Sequence, residues 1–145
     1  MKKYKFELSA QKTKEAINFD GVIKDTIKAA EFCRNFYFDD INIYESFFII
    51  LMKGNRVIGW AKIAQGGTSC TTVDVKIIAK YAIDTLSTTI ILCHNHPSGN
   101  LDPSTQDKKL TRQIIDALSL FNIRVLDHII LSEDGFFSFN ETGLL

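Results

Sequence analysis

The sequence predicts an α/β or α+β fold in which helices pack on a central mixed β-sheet. Segments with apolar residues at three- and four-residue steps alternate along the chain with short apolar runs that end in turns. The composition, 46% hydrophobic and 23% charged, is typical of a globular protein. Helices and strands that alternate in this way bury their apolar faces as a sheet covered by helices.

Length and charge exclude several classes of protein. The chain has 145 residues, enough for one continuous core and too few for two independent ones, so we expect residues 1–145 to form a single domain. The 17 basic and 17 acidic side chains cancel, so no strong field draws the chain to nucleic acid or to a membrane surface. Binding to a phosphate backbone is therefore disfavoured, although a local basic patch stays open.

The first half of the chain predicts a helix and then a β-hairpin. Apolar residues recur at helical spacing from about Val22 to Phe36. Two apolar runs, 46–52 and 56–63, flank the turn at 53–55, which is the pattern of a hairpin. The run at 46–52 is apolar on both faces, so we expect it to form a central strand.

The second half predicts two helices, a buried strand and a closing hairpin. After a loose segment at 66–72, Asp74 can cap a helix. The predicted buried face of this helix comprises Val75, Ile78, Ala79, Ala82, Ile83 and Leu86. Residues 89–93 predict a short buried strand, and 125–131 with 136–139 predict the hairpin. A further helix follows Ser104, and its apolar face comprises Leu110, Ile114, Ala117, Leu118 and Phe121.

The cysteines and the N-terminus indicate a reducing compartment. Cys33, Cys70 and Cys93 form no C-x-x-C pair, which argues against a disulfide framework and a four-thiolate zinc site. No apolar run follows the N-terminal lysines, and none approaches membrane-spanning length. We therefore expect reduced thiols and a cytoplasmic protein without membrane contact.

The stretch from His94 to Asp107 carries the chemistry of the sequence. In an extended strand His94 and His96 project to the same side, whereas Cys93 and Asn95 point away. The N-cap residue Ser104 would place Asp107 in the first helical turn, facing the loop that precedes the helix. Two imidazoles, one carboxylate and an open fourth position are the ligand set of a catalytic zinc site.

Glu45 is the candidate general base. Zinc lowers the pKa of bound water from about 15.7 to about 7, so a carboxylate that moves the proton is the remaining requirement. Glu45 precedes the strongly apolar run 47–51, where packing calls for no charge. Taken singly, Glu45 reads as a solvated strand end, the histidines as a surface pair and Ser104-x-x-Asp107 as a helix cap. Their conjunction in order and spacing favours the catalytic interpretation.

The same residues resemble a known motif. Glu45, then His94-x-His96, then seven residues from Pro97 through Pro103, then Ser104-x-x-Asp107 resemble the JAMM motif, E…H-x-H-x7-S-x-x-D, of the JAB/MPN-plus metallopeptidase superfamily. The resemblance implies the JAB/MPN sandwich, which is similar to the cytidine-deaminase fold.

Within that superfamily the chain resembles the RadC branch, long labelled a DNA-repair family. The resemblance runs from about Gly21 to Leu145 and rests on the segments 94–99, 55–58 and 125–128. Two departures stand out. The chain has no room for the N-terminal helix-hairpin-helix domain of longer RadC proteins, and its 66–68 and 74–76 segments differ from those of many relatives. We therefore expect a short form whose substrate cleft differs and whose ligand set is retained.

The resemblance implies a mechanism. One zinc ion per chain would be held by His94, His96 and Asp107, and Glu45 would position and deprotonate the water that attacks an amide carbonyl. Ser104 would donate a hydrogen bond to the oxyanion. The proton would pass from Glu45 to the leaving amine, so the reaction would be hydrolysis of an amide or isopeptide bond in a peptide or protein conjugate.

Other classes of function agree less well with the sequence. The chief alternative is a DNA-repair-associated accessory module that binds nucleic acid or a partner protein without cleavage, and the neutral net charge counts against it. A zinc nucleoside deaminase would need H-x-E and P-C-x-x-C, and neither occurs. An inactive scaffold is disfavoured because every ligand of the motif is present. The substrate and the oligomeric state stay open.

The remaining polar side chains have simpler interpretations. His128 lies in the apolar run 125–131 and is interpreted as a buried residue with its bonds satisfied, the alternative being that Asp127-His128 orients a ligand. Lys108, Lys109 and Arg112 are interpreted as a solvated helix face rather than as a phosphate contact.

Overall fold

A computed structural model describes residue 5 and residues 10–37, 39–67 and 72–145. In this part of the chain the strands form one sheet in the order β2-β1-β3-β4-β5. The β3–β4 pair is parallel and the other pairs are antiparallel, so the sheet is mixed and the predicted fold class is confirmed. The elements are α1 Thr26–Arg34, β1 Ser46–Lys53, β2 Arg56–Gln65, α2 Val75–Asp84, β3 Thr89–Asn95, α3 Thr105–Ser119, β4 Arg124–Leu131 and β5 Phe136–Ser138.

Helices cover both faces of the sheet and give it two apolar layers. Because side chains alternate along a strand, Phe48 and Ile50 of β1 pack on the α1 side, and Phe47 and Ile49 pack on the side of α2 and α3. All seven residues of β3 are buried, and β1 is buried from Ser46 to Met52. The prediction that β1 is an interior strand is confirmed, since it pairs with β2 on one side and β3 on the other.

The predicted hairpins are confirmed, and the first helix is shorter than predicted. Its N-cap is Asp25, whose carboxylate accepts a hydrogen bond from the Lys28 amide at 2.8 Å. Val22, which the periodicity assigned to the helix, instead forms an isolated bridge with Arg56 and extends the sheet. The apolar spacing marks the buried face of a helix, but the capping residue sets where the helix begins.

Three residues assigned to buried helix faces are exposed. Ile83 is 40% exposed, Leu86 is 72% exposed and Phe121 is 54% exposed. Leu86 lies beyond the end of α2 and turns outward at φ 52°, and Phe121 lies beyond the end of α3. The apolar periodicity therefore runs past the end of each helix, whereas Ile83 lies within α2 on its exposed side. The assignment of these three residues to buried faces was wrong.

The path from β3 through α3 to β4 positions the polar residues. β3 extends two residues beyond its predicted end, to Asn95, and α3 then crosses over to the parallel strand β4. In such a crossover the helix N-terminus comes next to the carboxyl end of the preceding strand. The end of β3, with His94, and the first turn of α3, with Asp107, consequently meet.

Two of the cysteines are free and buried, as predicted for Cys33 and Cys93. Cys70 and the middle of the predicted loose segment, 68–71, lie outside the described residues. Among the helices of the described ranges, none has both the length and the apolar character needed to cross a bilayer.

Candidate metal centre

His94, His96 and Asp107 meet at one point where β3 ends and α3 begins. The Nε2 atoms of His94 and His96 are 3.0 Å apart. Asp107 Oδ1 lies 3.3 Å from His94 Nε2, and Asp107 Oδ2 lies 3.4 Å from His96 Nε2. The side chain of His94 is 1% exposed, and those of His96 and Asp107 are 15% and 14% exposed, so the group opens toward solvent on one side only.

These distances fit a small tetrahedral ion. With Zn–N distances of about 2.0–2.1 Å, neighbouring ligand atoms of a tetrahedral site lie about 3.3 Å apart. Two imidazole nitrogens with one carboxylate suit zinc better than magnesium or calcium, which prefer all-oxygen ligand sets. The three side chains therefore can hold a metal ion, and they supply three of four tetrahedral positions.

The start of α3 orients Asp107. Ser104 and Asp107 form a capping box, in which the Ser104 amide donates to Asp107 Oδ2 at 2.7 Å and the Asp107 amide donates to Ser104 Oγ at 3.0 Å. The cap interpretation is confirmed, and the capping box leaves Asp107 beside His94 and His96, where it could bind a metal ion. Ser104 is exposed beside the centre, and its predicted contact with an oxyanion stays a prediction.

The two imidazoles are fixed through their other nitrogens. Nδ1 of His96 lies 2.6 Å from the carbonyl oxygen of Asn100. A carbonyl oxygen only accepts, so this Nδ1 carries a hydrogen and a neutral His96 has a bare Nε2. Nδ1 of His94 lies 2.7 Å from Nε2 of His128, and the His94 ring stacks on Phe47 at a centroid distance of 5.8 Å.

The electrostatics of the centre favour an ionised Asp107. Burial alone raises the pKa of this carboxyl, but the adjacent rings of His94 and His96 outweigh burial and hold the pKa well below its ordinary value. The pKa of His96 is raised, chiefly by the hydrogen bond with Asp107, and also by the negative charge of Glu45. Complete burial lowers the pKa of His128 well below its ordinary value, so His128 is neutral at neutral pH.

Glu45 immediately precedes β1, which begins at Ser46. In the β1–β3 register Phe47 pairs with His94, so the start of β1 lies beside the end of β3. The influence of the Glu45 charge on the pKa of His96 agrees with this placement. The charge of Glu45 thus acts on His96, and its role as the base stays a prediction.

Asn95 is a site residue that the sequence analysis missed. It lies between the two histidines, points to the opposite face and is fully buried. Its Oδ1 accepts from the Ser46 amide at 2.8 Å, and its Nδ2 donates to the carbonyl oxygens of Ile41 at 2.6 Å and Tyr44 at 2.8 Å. Asn95 therefore holds the segment that carries Glu45. A polar residue inside an otherwise apolar strand was the available signal.

His128 and its neighbour Asp127 have separate partners. The Asp127 carboxylate accepts from Ser138 Oγ at 2.7 Å, from the His128 amide at 2.7 Å and from the Asn140 amide at 3.0 Å. Asp127 therefore ties β4 to the C-terminal segment. Of the pair, only His128 reaches a ligand, at 2.7 Å from His94 Nδ1.

The basic residues near the start of α3 lie on its exposed side. Lys108, Lys109 and Arg112 are exposed, and Arg112 pairs with Asp116 at 2.8 Å. Their interpretation as a solvated face agrees with these positions.

A cleft lies beside the loop that follows His96. It measures about 400 Å³ and begins at Pro97, directly after the ligand His96. One wall is the loop 97–101, and the other is the turn between β4 and β5 with Asn42. Arg34 secures that turn by donating to the carbonyl oxygens of Ser132 at 3.0 Å and Gly135 at 3.1 Å.

Comparison with known proteins places most of the chain in one family. The family model described as "RadC-like JAB domain" matches residues 23–144, which include every residue of the centre.

Several bacterial proteins named "UPF0758 protein" are similar to the chain. The one from Flavobacterium johnsoniae is 38% identical over 102 residues, which are 70% of this chain and 44% of that protein. The one from Porphyromonas gingivalis is 38% identical over 110 residues, 75% of this chain and 48% of that protein. The one from Neisseria meningitidis serogroup B is 30% identical over 124 residues, 86% of this chain and 55% of that protein. The chain thus spans about half the length of these relatives.

Proposed function

The chain belongs to the RadC-like JAB domain family, and from that premise we propose that it is a zinc-dependent hydrolase of amide bonds, of the peptidase or isopeptidase type. The observation that carries the proposal is the meeting of His94, His96 and Asp107 at spacings of 3.0–3.4 Å. Three protein ligands with one position left over are typical of catalytic zinc and not of closed structural zinc.

The metal would supply the polarising charge. When bound, zinc would acidify water at the fourth position and polarise the substrate carbonyl. The chain's own residues would do the rest. Asp107, ionised by its environment, would balance the positive charge, and the bare Nε2 of His96 would point at the ion because its Nδ1 is held by Asn100.

Glu45 would move the proton. The effect of its charge on the pKa of His96 supports a position near the metal, and its carboxylate would accept a proton of the attacking water. The same carboxyl group would then donate that proton to the departing amine. Without this delivery the amine would have to leave as an anion, which is unfavourable at neutral pH.

Ser104 and the cleft would position the substrate. Accepting from the Asp107 amide uses a lone pair of the Ser104 hydroxyl, and its hydrogen is the group that would donate to a developing oxyanion. The cleft of about 400 Å³ beside His96 has the size for a few residues of an extended peptide. The open mouth favours a peptide or protein conjugate as substrate.

Metal content is the first test. We would purify the protein without chelator or nickel resin and measure metals by elemental analysis, alongside the double variant His94→Ala/His96→Ala. The expected result is one zinc ion per chain in the wild type and none in the double variant. Absence of metal from the wild type, even after zinc is added, would overturn the proposal and favour a module that binds nucleic acid or a partner protein.

Turnover is the second test. Zinc-loaded protein would be screened against quenched fluorescent peptides and against peptides joined through a lysine side-chain amide. Glu45→Gln should keep the zinc and lose turnover by at least about a hundredfold, the lower end for loss of a general acid–base group. The matched control is Glu31→Gln, which removes an exposed carboxylate from α1. Equal turnover of Glu45→Gln and wild type would remove Glu45 from the mechanism.

A further inference from the structure

Three short hydrogen bonds connect His94 to α3, the helix that carries Asp107, in addition to the direct contact between His94 and Asp107. Thr111 Oγ1 lies 2.6 Å from the carbonyl oxygen of Asp107 and 2.6 Å from His128 Nδ1. His128 Nε2 in turn lies 2.7 Å from His94 Nδ1. Thr111, His128 and His94 are each at most 1% exposed, so water does not compete for these bonds. We call this series the Thr111–His128–His94 chain.

The Thr111–His128–His94 chain has only one direction in which each of its three contacts contains a hydrogen. The Asp107 carbonyl oxygen accepts, so the single hydroxyl hydrogen of Thr111 is directed to it. The Thr111 oxygen must then accept at its other contact, which requires a hydrogen on His128 Nδ1.

The aromatic surroundings of His128 determine which ring donates in the hydrogen bond between His128 and His94. The His128 ring stacks on Phe139 at a centroid distance of 4.7 Å and meets Phe47 edge-on at 5.5 Å. An imidazolium there would be costly to bury, so the ring carries one hydrogen, at Nδ1, and its Nε2 accepts. The hydrogen in the last bond therefore belongs to His94 Nδ1, which leaves His94 Nε2 bare.

We propose that Thr111 and His128 are positioning residues that hold the hydrogen of His94 on Nδ1, so that the Nε2 lone pair faces the metal position. This inference rests on the metal centre of the proposed function. Each of the two imidazoles then has its tautomer fixed by a hydrogen bond at Nδ1. The main-chain carbonyl of Asn100 fixes the tautomer of His96, and the Thr111–His128–His94 chain fixes that of His94. Metal-binding histidines commonly use a carboxylate, a carbonyl or water for this purpose. Here a neutral histidine backed by a hydroxyl takes that place.

Thr111→Val and Thr111→Ser form the matched test. Valine keeps the shape of threonine but cannot accept from His128 Nδ1. His128 can then carry its hydrogen on Nε2 and donate it to His94 Nδ1. His94 would in that case carry its own hydrogen on Nε2, the nitrogen that faces the metal position. We expect Thr111→Val to bind zinc at least about tenfold more weakly than wild type, in competition with a chromophoric chelator. Thr111→Ser, which keeps the hydroxyl, should stay within about threefold of wild type.

A spectroscopic readout does not depend on the variants. Long-range proton–nitrogen correlation spectra of the zinc-loaded wild type distinguish protonated, bare and metal-bound ring nitrogens. The expected spectrum shows His128 protonated at Nδ1 and bare at Nε2, with His94 protonated at Nδ1. A His128 ring protonated at Nε2 would overturn the inference even if Thr111→Val does not fold.

The outcomes separate this inference from the proposed function. Equal zinc affinity in wild type, Thr111→Val and Thr111→Ser would overturn the inference and leave the peptidase standing. Equal weakening in both variants would also overturn it, because the hydroxyl would then not be the group that matters. Zinc binding with the expected affinities and spectrum, but without amide cleavage by any protein, would overturn the peptidase and support the Thr111–His128–His94 chain.

Discussion

Asn95→Ala should detach the Glu45 segment while sparing the metal ligands. Asn95 makes three hydrogen bonds of 2.6–2.8 Å to the segment 41–46, and its side chain is fully buried on the face away from His94 and His96. Alanine removes all three bonds and leaves the Ser46 amide without this acceptor. The substitution thus separates the positioning of Glu45 from the proposed binding of zinc by His94, His96 and Asp107.

The expected loss follows from these bonds. At about 1 kcal/mol net for each hydrogen bond, the free energy of unfolding should fall by about 3 kcal/mol. For a chain of this size, that loss should lower the melting temperature by about 6–12 °C.

Urea unfolding and hydrogen exchange check the prediction. Asn95→Ala should lose about 3 kcal/mol, and the amides of residues 41–46 should exchange faster than in wild type. Zinc affinity should stay within about threefold, because no ligand loses a partner. Asn35→Ala is the matched control, since its side chain makes two bonds at the exposed end of α1, and it should lose less than about 1 kcal/mol. A loss below about 1 kcal/mol in Asn95→Ala would refute the reasoning.

Three further predictions concern other groups. Burial lowers the pKa of His128, so the unfolded chain takes up a proton at this residue below about pH 6.5 that the folded protein does not bind. The contribution of His128 to the free energy of unfolding should therefore fall with falling pH by up to about 1.4 kcal/mol per unit. Urea unfolding of metal-free wild type and His128→Phe at about pH 5.5 and pH 7.5 measures this slope, and equal slopes would contradict it. Arg34→Met removes charged donors to Ser132 and Gly135 and should cost about 1.5–3 kcal/mol in the same assay, whereas an unchanged midpoint would show that the turn is held by other contacts. Burial raises the pKa of the Cys33 thiol, so mass spectrometry should find it unmodified by iodoacetamide until urea unfolds the protein, and rapid labelling of the native protein would disprove its burial.

The elements and the cluster of His94, His96 and Asp107 could be predicted because their signals are local. Helices show their apolar spacing and capping residue within one segment, and His94, His96 and Asp107 fall within 14 residues of chain. Local patterns were weaker at boundaries. The first helix begins four residues later than Val22 because Asp25 caps it, and the periodicity that included Leu86 and Phe121 continued past two helix ends.

The partners of those ligands were decided by the tertiary structure. The register of β1 against β3, in which Phe47 pairs with His94, brings the start of β1 after Glu45 beside the end of β3, and a register shift of one residue would turn these side chains to the other face. His128 is 34 residues from His94 in sequence and reaches it because β3 and β4 pair in parallel.

The sequence by itself therefore determined which residues can bind a metal, and the tertiary structure decided which hydrogen bonds orient them. The physical reason is the range of each interaction. Strand alternation and helix capping act over a few residues and can be seen in the order of residue types. The direction of the Thr111–His128–His94 chain depends on three segments that meet only when the sheet has formed and water has been excluded from between them.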